Sequence, residues 1–108
     1  MSYRGRNRNN DDFMEVIWTT TALQGLERAR RYIAEDNPEA AKRVYEAILA
    51  GAGRLGDMWP EMGRPGRVDG TREWVVSKTP YLIAYAIAAS QVKIIAVQHG
   101  AQKWPERF

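Results

Sequence analysis

The 108-residue chain has no cysteine and one histidine. The first absence excludes a disulfide scaffold, a thiolate metal site and a cysteine nucleophile. The second excludes a zinc centre built from several imidazoles. Long apolar runs are missing too. The longest, Tyr81 to Ala89, covers nine residues, whereas a membrane-spanning helix needs about 20. No membrane contact is therefore expected. The N-terminal stretch MSYRGRNRNNDD is basic with no apolar segment behind it, so it is not expected to be a secretory signal. What is present is a 44% apolar composition with four tryptophans, enough for one domain to bury a core unaided. The expectation is a single soluble, cytoplasmic domain without metal or cofactor.

The net charge of +3 is unevenly placed. Residues 14–62 carry six Lys and Arg against eight acids, and residues 63–108 carry seven against three. The C-terminal half thus holds the positive field, which favours encounter with an anionic partner, nucleic acid or an acidic protein segment.

Residues 1–13 are polar and read as a flexible basic arm, followed by one domain over residues 14–108. Glu15 to Thr19 is β-branched and aromatic, a strand signature. Thr20 or Thr21 is placed to cap a helix over Ala22 to Glu35, with Leu23, Leu26, Ala29 or Arg30, and Ile33 on one stripe. Asn37 and Pro38 open a second helix as cap and first residue. Ala41, Val44, Tyr45, Ile48, Leu49, Ala52 and Leu55 then repeat at helical spacing, up to a stop at Gly56. The short connection makes the two helices an antiparallel hairpin. Proline and glycine make Asp57 to Gly70 irregular, with Met58 and Trp59 facing core or partner. Three strands follow, Arg72–Lys78, Tyr81–Ala88 and Val92–Gln98, as an antiparallel meander. The middle one is apolar on both faces, and its alanine face offers room for a closely packed helix. Trp74 is expected to face the core, and Glu73 to form a surface ion pair across strands. The fold class is α+β: an N-terminal strand, a helical hairpin, then a three-stranded meander, with the first strand pairing beside the last.

Three stretches carry a family resemblance: Gly63 to Glu73 (GRPGRVDGTRE), Pro80 to Tyr85 (PYLIAY), and Val97 to Pro105 (VQHGAQKWP). In this order behind a helical hairpin, the chain resembles the RelE/ParE superfamily of type II toxin–antitoxin toxins. The resemblance implies a growth-arresting toxin of the plasmid-stabilisation kind. It also implies a cognate ParD-like antitoxin bound in a hetero-oligomer. ParE-like members inhibit DNA gyrase; RelE-like members are ribosome-dependent mRNA endonucleases.

Metal-free RNA cleavage needs a base, an acid and cations for the transition state. Arg72, Tyr85 and His99 are the candidates for that alternative. The meander strands offer few cations, and the first and third motifs look closer to ParE relatives. The leading expectation is therefore gyrase inhibition without catalytic residues, with Arg64, Arg67, Arg72, His99 and Trp104 contacting the target. Leu26, Arg30, Tyr32, Ile33 and Tyr45 are the expected antitoxin contacts.

Overall fold

The computed structural model describes residues 2–6, 13–57 and 62–105. Two strands come first, Ser2–Arg6 (β1) and Phe13–Trp18 (β2). Helices Thr20–Ala34 (α1) and Pro38–Asp57 (α2) follow. Strands Arg64–Pro65 (β3), Arg72–Val75 (β4), Tyr81–Ala88 (β5) and Gln91–His99 (β6) complete the order. The six strands form one sheet in the order β1-β2-β6-β5-β4-β3. As expected, β2 lies beside the last strand. That pairing is parallel, with Val16 opposite Val92 and Trp18 opposite Ile94. The other pairings are antiparallel, so the sheet is mixed.

Where a loose arm was expected over residues 1–13, Ser2–Arg6 pairs antiparallel with β2. The sequence signal was absent because an edge strand can be held by main-chain hydrogen bonds, with no apolar alternation. Positions 1 and 7–12 lie outside the described residues, as do Met58 and Trp59.

The cap of α1 falls one residue earlier than expected. Thr19 accepts a hydrogen bond from the Ala22 N–H on its hydroxyl (3.1 Å). The same hydroxyl lies 2.9 Å from the Ile94 carbonyl oxygen, to which it can donate. Thr19 therefore starts the helix and ties that start to β6, which Thr20 and Thr21 do not do. Asn37 caps α2 as read from sequence, its Oδ1 accepting from the Ala40 N–H at 3.1 Å. Pro38 occupies the first helical position.

Both helices cover one face of the sheet. The core joins Leu26 and Ala29 of α1 and Ile48, Ala52 and Leu55 of α2 to Val16, Trp18, Tyr81, Ile83, Tyr85, Val92, Ile94 and Val97 of the strands. The helices thus lie on the Tyr–Ile face of β5, not on its alanine face. The small residue that permits close approach sits in the helix instead. A Cβ on Gly25 would be 2.8 Å from the Val97 carbonyl oxygen, so α1 crosses the β6 main chain there. Trp74 packs against the core as expected. The opposite face of the sheet carries Leu82 and Ala84, both buried. The loop between β3 and β4 and the segment after β6 lie on that side: Gly100 approaches Leu82, and Trp104 meets Arg67.

Because Val97 offers backbone rather than a flexible side chain, Gly25→Ala should push α1 off the sheet. We expect a loss of about 1–3 kcal/mol of stability, read by urea denaturation as a lower midpoint with an unchanged slope.

Candidate functional site

The sequence of β4 puts Glu73 between Arg72 and Trp74. Strand alternation sends Trp74 to the helix side and Glu73 to the far side. Register places Glu73 opposite Arg64 on β3 and opposite Ala84 on β5. Its carboxylate is buried, with 1% side-chain exposure, and is not the surface partner expected. A carboxylate withdrawn from water must be paired. Glu73 accepts from the Arg67 main-chain N–H (2.7 Å), from Arg67 Nε (3.1 Å) and Nη2 (3.2 Å), and from Arg64 Nη2 (3.2 Å). Burial pushes the carboxyl's pKa up, but the main-chain and side-chain hydrogen bonds of Arg67 and that of Arg64 outweigh it. The net result lies below the ordinary 4.5. Arg67 is clamped from its other side, its guanidinium 4.0 Å from the centre of the Trp104 ring. Arg64, Arg67 and Trp104, three of the expected target contacts, therefore assemble around one unexpected residue.

Arg72 and Tyr85 face each other across β4 and β5 and perform a different task. Arg72 Nη2 donates to the Gly63 carbonyl, and Tyr85 Oη accepts from the Gly63 N–H at 2.9 Å. Tyr85 is fully buried. A Cβ at Gly63 would be 2.5 Å from both the Glu73 carbonyl oxygen and Tyr85 Oη, so the chain passes too close here for a side chain. These two side chains fix the entrance of the arginine loop.

His99 stands elsewhere. It pairs with Tyr81, four residues along β5 from Tyr85, roughly 13 Å of strand. Its Nδ1 accepts from the Ala101 N–H (3.0 Å), and its ring meets Tyr81 edge to face at 5.3 Å. Arg72, Tyr85 and His99 are thus not brought together. His99 lines a groove of about 360 Å³ with Arg28, Tyr32 and Tyr81 beside α1. Burial holds the Tyr81 phenol above its ordinary pKa, with Tyr32 adding to the rise.

The expected antitoxin contacts divide. Leu26 is 3% exposed and belongs to the core, so it offers no surface. Ile33 and Tyr45 are partly buried against the core. Tyr32 is 66% exposed. Arg30 is exposed and grips Glu27, with Nε 2.9 Å from Oε2. This hydrogen bond, opposed by slight desolvation and aided by the charges of Arg30 and Arg31, lowers the Glu27 pKa to about 2. Solvent screening leaves that exposed pair little influence on stability. Sequence reasoning missed Gly63 and the burial of Glu73; the ion pair across strands that it expected of Glu73 forms with Arg64. The available signal was a pair of acids, Asp69 and Glu73, interleaved with Arg64, Arg67 and Arg72.

Among the described residues there is no cluster of three His, Cys, Asp or Glu able to hold a metal, and no helix long and apolar enough to cross a membrane. The architecture matches a solved chain of the chromosomal ParDE toxin–antitoxin system from P. aeruginosa. The TM-score is 0.67 and the identity 21%, over 80% of this chain and 95% of that one. The fold is thus shared with that chain. Residues 16–104 match the family model described as the ParE toxin of the type II toxin–antitoxin system parDE, and the chain belongs to that family. Among its relatives is a Sinorhizobium fredii protein named as toxin Y4kP, 42% identical over 84% of this chain and 93% of the relative. Toxin RelE2 of Caulobacter vibrioides is 36% identical over 82% and 97% respectively.

The lowered Glu73 pKa fixes the sign of a pH effect. The ionised group stabilises the fold above its unfolded value near 4.5, and that contribution is lost as pH falls toward the lower folded value. Glu73→Gln should lose about 1–3 kcal/mol at pH 7, the scale of its charge-assisted hydrogen bonds. Its stability should also vary less than that of the parent between pH 5 and pH 3. Urea titrations at the two pH values check both.

Proposed function

We propose that this ParE-family toxin acts by binding DNA gyrase and inhibiting it in the cytoplasm, and that a ParD-like antitoxin neutralises it. The observation that carries this reading is the use made of Arg72 and Tyr85. Both are engaged in holding Gly63, while His99 is four residues away along the strand. A general acid and base must both reach the reacting group, and these three side chains do not converge on one. The surface instead offers half-exposed, oriented cations at Arg64 and Arg67 and an exposed aromatic at Tyr32. Such groups serve adhesion to a target or partner.

The antitoxin would occupy the α1 side, where Tyr32 and Arg30 are accessible and Ile33 and Tyr45 are partly so. Tyr32 is the anchor there, flanked in the groove by Arg28 and His99. The target would meet Arg64, Arg67 and Trp104 on the opposite face of the sheet, while Arg72 holds the entrance of their loop from the core side.

The name of the Caulobacter vibrioides relative, RelE2, keeps the ribosome-dependent endonuclease as the second reading, so both activities are measured. Purified toxin is expected to block supercoiling of relaxed plasmid by gyrase and to leave ribosome-programmed mRNA intact. Supercoiling at the normal rate under saturating toxin overturns the proposal. Cleavage of mRNA that disappears in His99→Ala would establish the second reading in its place.

A further inference from the structure

We propose that the far face of the sheet binds the phosphodiester backbone of DNA directly, through Arg64, Arg67 and Lys93. This goes beyond an action on gyrase, since the ligand is the nucleic acid itself.

Two guanidinium groups share one carboxylate at Glu73, so the cluster keeps an unbalanced positive charge. Their side chains are 58% and 44% exposed. Arg64 gives one Nη to Glu73, and Arg67 gives Nε and one Nη, leaving N–H donors on both for a ligand. Lys93 extends the row. It is exposed and pairs with Ala86, on the same face and two residues along β5 from Ala84, the neighbour of Glu73. Lys103, beside Trp104, is exposed as well. Among the described residues, the acids nearby are Asp69, exposed in the arginine loop, and Glu15 toward the other edge, which accepts from Gln91 Nε2 at 3.3 Å.

The cluster is also preorganised. A free surface arginine loses rotamer freedom when it binds. Arg67 is already held by Glu73 below and Trp104 beside it, so its planar fork is set before any ligand arrives. Forks of this kind pair with phosphate oxygens through two N–H groups. A row of cations across a face also suits a polyanion with regularly spaced charges better than one acidic side chain. The helices lie on the other side of the sheet, so a partner on α1 does not cover Arg64, Arg67 or Lys93, which stay exposed.

The test uses the full-length toxin and a fluorescent 20-base-pair duplex of arbitrary sequence, read by anisotropy in the absence of gyrase. Binding is expected at low salt, with log K falling against log salt at a slope of about −2 to −3. The double variant Arg64→Ala/Lys93→Ala leaves the Arg67–Glu73 pair in place. It should lower the magnitude of that slope by about 2 while keeping the parent's thermal unfolding midpoint within a few degrees. Lys42→Ala/Arg43→Ala, exposed on α2 across the sheet, should bind as the parent does. Absence of salt-dependent binding, a slope unchanged in the first variant, or an equal loss in the second overturns the proposal. So does displacement of the duplex by polyglutamate as effectively as by unlabelled DNA of equal charge, since the face would then be a carboxylate site. With gyrase left out, a failure here leaves the supercoiling result standing, and the reverse also holds.

Discussion

A carboxylate taken out of water is a liability that the surrounding chain must neutralise, and Glu73 organises its neighbourhood through that demand. Leaving such a group unpaired would cost several kcal/mol. The remedy is four hydrogen bonds from two arginines that are nine and six residues upstream. Meeting the demand forces the loop between β3 and β4 to fold back over its own strand. It also fixes the guanidinium of Arg67, against which Trp104 then stacks. Proline and glycine permit the path, but the ion cluster selects it. Removing the carboxylate leaves two half-exposed arginines that water can solvate, so the damage is mainly lost order in the loop.

The sheet separates two kinds of work. Its helix side is an apolar core in which Tyr85 and Trp18 are packed among aliphatic residues. Its other side carries the ion cluster, with alanines on the strands beneath. The polar candidates follow this division. Arg72 and Tyr85 serve the loop entrance from the core side, His99 and Tyr32 border the groove beside α1, and Arg64 and Arg67 belong to the far face. One face can therefore be masked by a partner while the other keeps its chemistry.

The elements most legible in the sequence were those with local causes. Asn37–Pro38 sets the start of α2, and the apolar rhythm from Ala41 to Leu55 sets its buried stripe. Tyr81–Ala88 reads as a doubly covered strand because both faces are apolar; its bounds agree with the structure, but only Tyr81 to Tyr85 are buried, and Ile87 and Ala88 are exposed. The less legible features depend on contacts between distant residues. Thr19 caps α1 in preference to Thr20 because its hydroxyl also meets the Ile94 carbonyl, which lies 75 residues away. Ser2–Arg6 has no alternation to reveal it, because the pairing is made by main chain. Glu73 alternates correctly for a solvent-facing position, and only the folded-back loop turns that position into an interior one. For the candidate site, residue types identified the arginines and Trp104 individually. The carboxylate that unites them, and the separation of His99 from Arg72, emerged from strand register.

The parallel seam between β2 and β6 joins the two ends of the domain, with Trp18 opposite Ile94. On its β6 edge, β2 of a nascent chain stays unpaired until the last strand has cleared the exit tunnel, though β1 can already pair with its other edge. Loop closure over that many residues is slow compared with forming the helical hairpin. The helical hairpin and the local β1–β2 and β4–β5 pairings can therefore form before the seam that joins them into one sheet. The arginine-bearing face, which β6 shares with β5, β4 and β3, thus becomes continuous with β2 only when that seam closes.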